Sequence, residues 1–400
     1  MLFYESDSLD PAWNLALEEV LFQTLPEGRP CLYLWRNSPS VIIGKNQCAV
    51  DEVDRSFLEA HGIRLVRRLS GGGAVYHDPG NLNYSVILDM DSPTADDFFF
   101  SYPVIRALAA LGIHAVRSGR NDLLIDGKKF GGCASYEKDG RLLRHGCIML
   151  DTDLEMLQRA LTVHPDKLRS HGIPSVRSRV TTIAEYMRQH EADKTANDVQ
   201  SANSDPDDLH SARLDADGLR SDDFKPDCSG TGFLSPDCFN ILKASLRKEF
   251  ARAFSGQSAP ERMDGSADPM DAPCSVLELS AESLSRVQHL ADSRYRSPVW
   301  NEGREEAAEA GDCKGNAPTR ILREYKYESG LVSVRMEILD QRIHRIRIRG
   351  DFFGSADISI LEHQMEGLPL DEHLGDRLRE LPVETCMHGI RAEDLARLLE

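Results

Sequence analysis

An α+β fold is predicted: a mixed, largely antiparallel β-sheet flanked by helices, followed by a small α+β module at the end of the chain. Three observations support this prediction. Short apolar segments follow one another at hairpin spacing, and Asp126-Gly127, between two of them, is a favoured two-residue turn. Apolar residues at helical spacing flank these segments. Consecutive hairpins favour antiparallel pairing over a doubly wound parallel sheet.

The elements of the first part follow in chain order. A helix is predicted over 10–22, because Asp10 is a suitable N-cap and Pro11 suits the first helical position. The Asp126-Gly127 turn predicts a strand on each side of it. Further strands are predicted over 31–35, 41–43, 63–68, 83–88, 113–116, 123–125, 128–130 and 146–150, and further helices over 101–111, 153–161 and 165–171.

Composition divides the rest of the chain. Residues 190–231 are rich in Ala, Asp, Ser and Asn, which predicts a disordered insertion because the segment buries too little apolar surface. The predicted organisation is a main domain over 1–254 containing that insertion, a linker with a helix over 255–318, and an α+β module over 319–400. Low-complexity stretches lie at 255–273 and 303–317, helices are predicted over 233–254, 280–294, 358–365, 374–380 and 391–399, and strands over 321–327, 331–338 and 343–350.

Charge and composition exclude several classes of protein. The 400 residues carry a formal net charge of −18, which argues against binding to nucleic acid or an anionic membrane. The sequence lacks an apolar run near the ~18 residues of a membrane span, and its first residues lack the basic and apolar regions of a signal peptide. The nine cysteines form no C-x-x-C pair, which argues against structural zinc or a disulfide framework. We therefore expect a cytoplasmic protein.

The most informative segment is the glycine run Gly71-Gly72-Gly73, which follows Arg67 and Arg68 and precedes His77. Consecutive glycines allow positive φ angles and close approach to a ligand. Their N–H groups can form an anion-binding nest, and arginines can pair with phosphate or carboxylate oxygens. The simpler interpretation is a tight turn between two strands.

A second cluster lies at 118–122 and ends in Asn121 and Asp122, before the strand that carries Lys129. Mg²⁺ is commonly held by one or two carboxylates plus substrate phosphates. A lysine on a strand is a positioned charge for phosphate or carboxylate oxygens. Together with the glycine run, these groups suit adenylation of a carboxylate by ATP, which needs cations and backbone donors but no nucleophilic side chain. Taken singly, Asp122 could be a turn residue and Lys129 a solvated charge.

The common nucleotide-binding motifs are missing. No G-x-x-x-x-G-K-[ST] sequence occurs, and Tyr76 occupies the last position of a possible G-x-G-x-x-G pattern. A Walker-type NTPase and a nicotinamide-dependent enzyme are therefore unsupported.

In its motifs the chain resembles the lipoate–protein ligases of the biotin/lipoate ligase superfamily. The segments that carry the resemblance are 32–47, 67–78, 80–83, 118–122, 129–134 and 175–181. It is dense over residues 1–188 and weaker over the C-terminal module. It implies a biotin/lipoyl-ligase-like catalytic domain over 1–254 and an accessory domain over 319–400 that moves between two half-reactions.

The resemblance implies that (R)-lipoate and MgATP give lipoyl-AMP, and that the lipoyl group then passes to a lysine of an acceptor. The implied acceptors are apo lipoyl domains of 2-oxoacid dehydrogenase acyltransferase subunits and the glycine-cleavage H protein. Lys129 is the implied catalytic residue and Asp122 the implied Mg²⁺ ligand. The implied contacts of ATP and lipoyl-AMP are Arg68, Gly73, Ala74, Val75, Tyr76, Asn121 and Lys129, and those of lipoate are Arg67, Gly72, His77 and Lys129.

Two alternatives share the fold. An octanoyl- or lipoyl-transferase works without ATP through a cysteine thiolate; the resemblance puts that cysteine near 118–122, where this chain has none. Cys133 stands where the family usually has a small residue, and we expect it to act as one. A non-catalytic lipoate-binding protein is the other alternative. It is less expected, because both Lys129 and Asp122 are present. For His77, a structural role that supports the loop through hydrogen bonds is expected at least as much as contact with lipoate.

Overall fold

The computed structural model describes residues 1–92, 97–119, 121–161, 179–190, 236–255, 274–303 and 318–400. Several predictions fall outside these ranges. They are the insertion over 190–231 apart from its first residue, the helix over 165–171, residues 175–178 of one family-like segment, and nearly all of the stretches at 255–273 and 303–317. Over the described ranges, none of the helices is both long and apolar enough to cross a membrane.

The main sheet has eight strands in the order β11-β1-β2-β6-β10-β9-β8-β7. Strand β1 pairs in parallel with β11 and β2, and the remaining neighbours are antiparallel. The strands are β1 (Leu2–Glu5), β2 (Cys31–Trp35), β6 (Asn81–Asp89), β7 (Val116–Ser118), β8 (Asp122–Ile125), β9 (Lys128–Lys138), β10 (Arg141–Met149) and β11 (Ser275–Val276).

A second, three-stranded sheet carries the glycine run. Strand β3 (Ser40–Ile43) lies in its centre, parallel to β4 (Arg64–Arg67) and antiparallel to β5 (Val75–His77). The glycines occupy the connection from β4 to β5. The outer face of this sheet packs on α3 (Arg55–Ala60) and α5 (Leu154–Ala160), and α2 (Ala49–Glu52) follows β3.

Helices cover both faces of the main sheet. On one face lies α1 (Pro11–Thr24), with Asp10 as its N-cap, together with α8 (Ala281–Leu290), a π-helical turn (Ala291–Tyr295) and α9 (Pro298–Glu302). On the other face lie α4 (Asp97–Ala109), a helix over 183–190 that we number α6, and α7 (Pro236–Phe254). Because side chains alternate along strands, each face contributes its own apolar core.

The C-terminal part is an antiparallel meander of β12 (Thr319–Tyr327), β13 (Gly330–Leu339) and β14 (Arg342–Gly350). One face of the meander is apolar and packs on α10 (Ile358–Met365), α11 (Leu374–Arg379), α12 (Val383–Cys386) and α13 (Ala392–Leu399). This core is separate from those of the main sheet.

The predicted fold class is confirmed: the structure is α+β, with a mostly antiparallel main sheet, flanking helices and a small C-terminal sheet domain. Strands β1, β5 and β11 were missed, and with them the parallel pairings at one edge of the sheet. Residues 274–303, which lie in the stretch predicted as linker and helix, add β11 to the main sheet and pack α8 against α1.

Candidate active site

A cavity of about 130 Å³ lies between the main sheet, α1 and the glycine-rich connection of the small sheet. The C-terminal domain closes it with Phe353. Its lining comprises Leu15, Trp35, Ile42, Arg68, Gly72, Gly73, Ala74, Val75, His77, Asn83, Asn121, Lys129, Gly132, Cys133, Ala134, His145, Gly146, Cys147 and Phe353.

Strand register builds the floor of the cavity. One row of paired residues crosses the main sheet from Trp35 through Asn83, Cys147 and Gly132 to Asp122. Paired residues project from the same face of a sheet, and neighbouring strands are about 4.8 Å apart. The cavity is therefore elongated across the strands, with Trp35 at one end and the Asp122 region at the other.

Lys129 lies at the Asp122 end. Its Nζ is 2.6 Å from Oδ1 of Asp122, and both side chains are about two-fifths exposed. Gly132 leaves room for the lysine, since a Cβ at this position would lie 3.3 Å from Nζ. Thr181 fixes the lysine backbone by donating its N–H to the Lys129 carbonyl at 2.9 Å. A primary amine and a carboxylate are thus held at the open edge of the cavity.

The Arg68 side chain shapes the glycine-rich connection. Its guanidinium donates to the carbonyls of Gly71 at 2.6 Å, Gly73 at 2.9 Å and Ile42 at 3.1 Å. Burial lowers the pKa of Arg68 to about 10, so the guanidinium stays charged at neutral pH. The loop carbonyls turn toward this charge, and the arginine adds positive potential to the cavity wall.

Gly72 meets two conditions that only glycine satisfies here. Its φ is 87°, and a Cβ would lie 3.0 Å from both Arg68 Nη2 and the ring of Phe353. At Gly73, by contrast, a Cβ would have no neighbour within 4 Å among the described residues. The loop therefore leaves open space at its third glycine.

A buried polar chain that the sequence did not reveal lies beneath the loop. Ser70 Oγ and His145 Nε2 share a hydrogen bond of 2.6 Å, and His145 Nδ1 donates to Glu18 Oε1 at 2.9 Å. All three residues are buried. They come from the glycine loop, β10 and α1, so no local motif joins them. Arg68 Nε also donates to Ser70 at 3.0 Å, which links the chain to the loop.

The structure brings most of the predicted site residues together. Arg68, Gly72, Gly73, Ala74, Val75, His77, Asn121 and Lys129 line the cavity. Asp122 joins them through its ion pair with Lys129. Asn121 lies just before β8 and is held by β9, because its Nδ2 donates to the Cys133 carbonyl at 2.9 Å and its carbonyl accepts from Cys133 N–H at 3.0 Å.

Arg67 and Tyr76 lie elsewhere. The Arg67 guanidinium donates to backbone carbonyls of Gly44, Gln47 and other residues, including Trp300 in the segment that packs beside β4. Tyr76 is buried in the apolar core outside the small sheet. In this conformation both residues support the walls of the cavity and do not line it.

Two family models match the chain. The lipoyl protein ligase A/B catalytic domain matches residues 10–202, and the bacterial lipoate protein ligase C-terminus matches residues 317–399. Lipoate–protein ligase 1 of Staphylococcus aureus is 31% identical and lipoate–protein ligase LplJ of Bacillus subtilis 30% identical, each over 100% of both chains.

The structural comparison points the same way. The structure of a bipartite lipoate protein ligase from Thermoplasma acidophilum, described with its E2 lipoyl domain, has a TM-score of 0.53 at 26% identity. The alignment covers 77% of this chain and 98% of that one. The sequence relatives match end to end, and both parts of the chain match models of one family. This chain therefore belongs to the lipoate–protein ligase family.

Proposed function

We propose that this ligase activates (R)-lipoate with ATP and passes the lipoyl group from lipoyl-AMP to a lysine of an acceptor domain. The observation that carries the proposal is the pairing of Lys129 with Asp122 at the open end of an elongated, largely apolar cavity. A carboxylate entering that end would meet an amine beside the glycine loop, while its hydrocarbon tail would lie along the buried floor.

In the first half-reaction, a carboxylate oxygen of lipoate attacks the α-phosphorus of ATP. A P–O bond forms and the bond to the leaving pyrophosphate breaks. Lys129 is the nearest flexible cation, and it exchanges Asp122 for the carboxylate and α-phosphate oxygens. Arg68 and the backbone N–H groups from Gly72 to Val75 add positive potential where negative charge gathers in the transition state.

The Asp122 side chain fits a role in holding Mg²⁺. The described residues contain no group of three or more His, Cys, Asp or Glu side chains that could enclose a metal ion. Mg²⁺ bound with a nucleotide needs only one or two carboxylates, since phosphates and water supply the other ligands. Asp122 is two-fifths exposed and can provide one oxygen once Lys129 turns to the phosphate. The ion would neutralise charge on the nucleotide.

In the second half-reaction, the neutral amine of an acceptor lysine attacks the acyl carbonyl of lipoyl-AMP. An amide C–N bond forms, the bond to AMP breaks, and the amine proton is lost to solvent. We propose lipoyl domains of 2-oxoacid dehydrogenases as acceptors, as the E2 lipoyl domain named with the Thermoplasma ligase suggests. The glycine-cleavage H protein, the cytoplasmic location and the lack of nucleic-acid and membrane partners stay predictions from the sequence.

The cysteine-dependent alternative has one structural point in its favour, because Cys133 and Cys147 line the cavity. Burial raises the pKa of the Cys147 thiol, although nearby Lys129 acts in the opposite direction. A thiolate is therefore scarce at neutral pH, which disfavours a nucleophilic role. Transfer without ATP would be the mark of this alternative.

The test combines purified protein, lipoate, MgATP and an apo lipoyl domain. We expect pyrophosphate release and an acceptor heavier by one lipoyl group, with neither product when ATP is omitted. Acceptor modification without ATP would support the transferase instead, and binding of lipoate without either product would support the non-catalytic alternative.

Lys129→Ala should abolish pyrophosphate release while leaving the thermal unfolding midpoint close to that of the wild type. Lys128→Ala is the matched control, because this neighbouring lysine lies on the same strand outside the cavity lining. Near-normal turnover of the Lys129 variant would refute the role proposed for this amine.

A further inference from the structure

The end of the cavity remote from Lys129 contains two buried N–H groups with unused hydrogen-bonding capacity. His77 and Asn83 line the cavity and are only 4% and 1% exposed. Within the described part of the chain, neither His77 Nε2 nor Asn83 Nδ2 has a hydrogen-bond partner. A buried donor without a partner is costly, so two in one cavity wall point to a ligand that accepts from them.

Neighbouring side chains fix which atoms are the donors. Asn37 Nδ2 lies 3.2 Å from His77 Nδ1 and donates to it, so the ring hydrogen is on Nε2. Asn14 Nδ2 donates to Asn37 Oδ1 at 3.1 Å, which sets the orientation of that amide. Burial, with smaller contributions from Arg68 and His145, lowers the pKa of His77 to about 3. His77 is therefore a neutral donor at physiological pH.

In Asn83, Oδ1 accepts from Asn81 Nδ2 at 2.8 Å, so the amide nitrogen is the group left over. Asn81 Oδ1 is the other atom of this pair that has no partner within the described residues. Both donors are neutral N–H groups, which can serve a neutral acceptor without burying a charge.

Strand register gives the distance of these donors from Lys129. Asn83 pairs with Cys147, and Cys147 pairs with Gly132, which lies beside the lysine. Two strand spacings correspond to about 10 Å. The His77 ring packs edge-on against Trp35, with 6.0 Å between the ring centroids. An acid whose carboxylate lies at Lys129 would thus bring the far end of its chain toward His77 and Asn83.

We propose that His77 and Asn83 recognise the sulfur atoms of the dithiolane ring and thereby select lipoate over saturated fatty acids. This inference rests on the proposed function. Sulfur is a weak acceptor, but it offers lone pairs where a methylene group offers none. A saturated chain would exclude water from this end and leave both donors unsatisfied, which penalises octanoate and any all-carbon ring analogue.

The test compares three acids in ATP-dependent pyrophosphate release: lipoate, octanoate and 5-cyclopentylpentanoate, in which methylene groups replace both ring sulfurs. We expect kcat/KM of the wild type to be roughly tenfold higher for lipoate than for the carbon-ring acid, from the cost of unpaired buried donors. His77→Phe and Asn83→Leu should each reduce that ratio several-fold. A general loss of activity would lower kcat/KM for lipoate and for the carbon-ring acid alike, and would leave their ratio unchanged.

His114→Phe and Asn240→Leu are the matched controls, because they make the same substitutions at exposed positions. They should keep the wild-type ratio. The wild-type comparison needs no variant, so it tests the inference even if His77→Phe fails to fold.

The outcomes separate the two proposals. A wild type that uses lipoate and the carbon-ring acid equally well would overturn the sulfur recognition and leave the ligase function standing. The sulfur recognition would also be overturned if His77→Phe and Asn83→Leu kept the wild-type ratio of kcat/KM for lipoate to kcat/KM for the carbon-ring acid. A wild type that activates none of the three acids would overturn the proposed function together with the inference.

Discussion

At the scale of single residues, the site depends on polar groups that are buried and have hydrogen-bond partners. Arg68 donates to carbonyls of the glycine loop, and Ser70, His145 and Glu18 form a continuous chain of hydrogen bonds. Buried polar groups stabilise a structure only when they have partners, since each lost partner leaves a desolvated atom behind. The shape of the loop is therefore sensitive to side chains that a substrate need not touch.

Ser70→Ala should lower the free energy of unfolding by about 1–3 kcal/mol, because it removes the partner of His145 and Arg68 in a buried place. Ser355→Ala is the matched control, since Ser355 and His388 share a hydrogen bond of the same 2.6 Å length at an exposed site. Ser355→Ala should lower the free energy of unfolding by less than about 0.5 kcal/mol. Urea unfolding of both variants measures the difference, and equal costs would show that burial does not matter here.

Alternation along strands explains where the site residues point. Arg67 and Arg68 are consecutive, and so are Val75, Tyr76 and His77. Successive side chains on a strand face opposite sides. Val75 and His77 on β5 face the cavity, so Tyr76 between them faces away from it. Arg67 is the last residue of β4 and lies outside the cavity lining, whereas Arg68, just after the strand, is part of it. The sequence motif includes all of these residues, whereas the alternation of side chains along a strand decides which of them can reach a ligand.

At the scale of secondary-structure elements, the segment over 179–183 acts as a brace for β9. Val180 forms a parallel bridge with Lys129, and Thr181 donates its N–H to the Lys129 carbonyl. The lysine backbone is thus held from the side opposite to the hairpin partner β8. Such a brace matters for catalysis, because small displacements of a reacting group carry large costs in rate.

Thr181→Pro removes the N–H and should reduce the rate of pyrophosphate release by roughly tenfold or more, in molecules that remain folded. The thermal midpoint should also fall, because the Lys129 carbonyl loses its partner. Thr181→Ala is the control, because it keeps the N–H and loses only weak side-chain contacts; it should behave like the wild type. Discontinuous assays, quenched at fixed times, measure the rate of pyrophosphate release for both variants. Equal rates would mean that the brace does not position Lys129.

Local chemistry made much of the fold predictable. Asp126 and Gly127 adopt φ angles of 49° and 73°, as a two-residue hairpin turn requires, and the hairpin forms where it was predicted. The pairing of β1 with β11 was not predictable, because it joins residues 2–3 to residues 275–276 and involves only two positions. The chain from Ser70 to Glu18 was missed for the same reason, since tertiary packing alone brings its three elements together.

At the scale of the whole molecule, the C-terminal domain contacts the catalytic domain through a small set of polar pairs and through Phe352 and Phe353 at the glycine loop. Lys45 Nζ lies 2.8 Å from Asp357 Oδ2, Arg335 lies 3.5 Å from Asp51, and Gly350 N–H donates to the Asn46 carbonyl at 2.8 Å. Exposed ion pairs contribute little each and are screened by salt. This contact can therefore be loosened without unfolding either domain.

Asp357→Asn should raise the fraction of open molecules about two- to fivefold, as loss of one partly exposed ion pair implies. The substitution keeps the N-cap of α10, since asparagine caps helices as well as aspartate does. Small-angle X-ray scattering would detect the change as a larger radius of gyration. Asp376→Asn, which removes an ion pair inside the C-terminal domain, is the control and should leave that radius unchanged.

The pH dependence of this contact has a definite sign. Burial tends to raise the pKa of Asp357, but hydrogen bonds from Lys45 and Ser359 outweigh it and hold the pKa at about 2. Because this value lies below that of an undocked aspartate, the contribution to docking is complete above about pH 4 and is lost as the pH falls toward 2. Opening on mild alkalinisation, with no change on acidification, would contradict this assignment.

A side chain at each of the three glycines of the loop would meet different surroundings. A side chain at Gly71 would overlap the backbone of Phe352 in the C-terminal domain, whereas one at Gly72 would meet both Arg68 within the loop and the ring of Phe353. Gly73 has free space around it among the described residues. A bulky residue at position 71 would thus act as a wedge between two folding units. It would hold the domains apart and move Phe353 away from the cavity that it lines. A catalytic domain produced without its C-terminal partner would be released from that constraint.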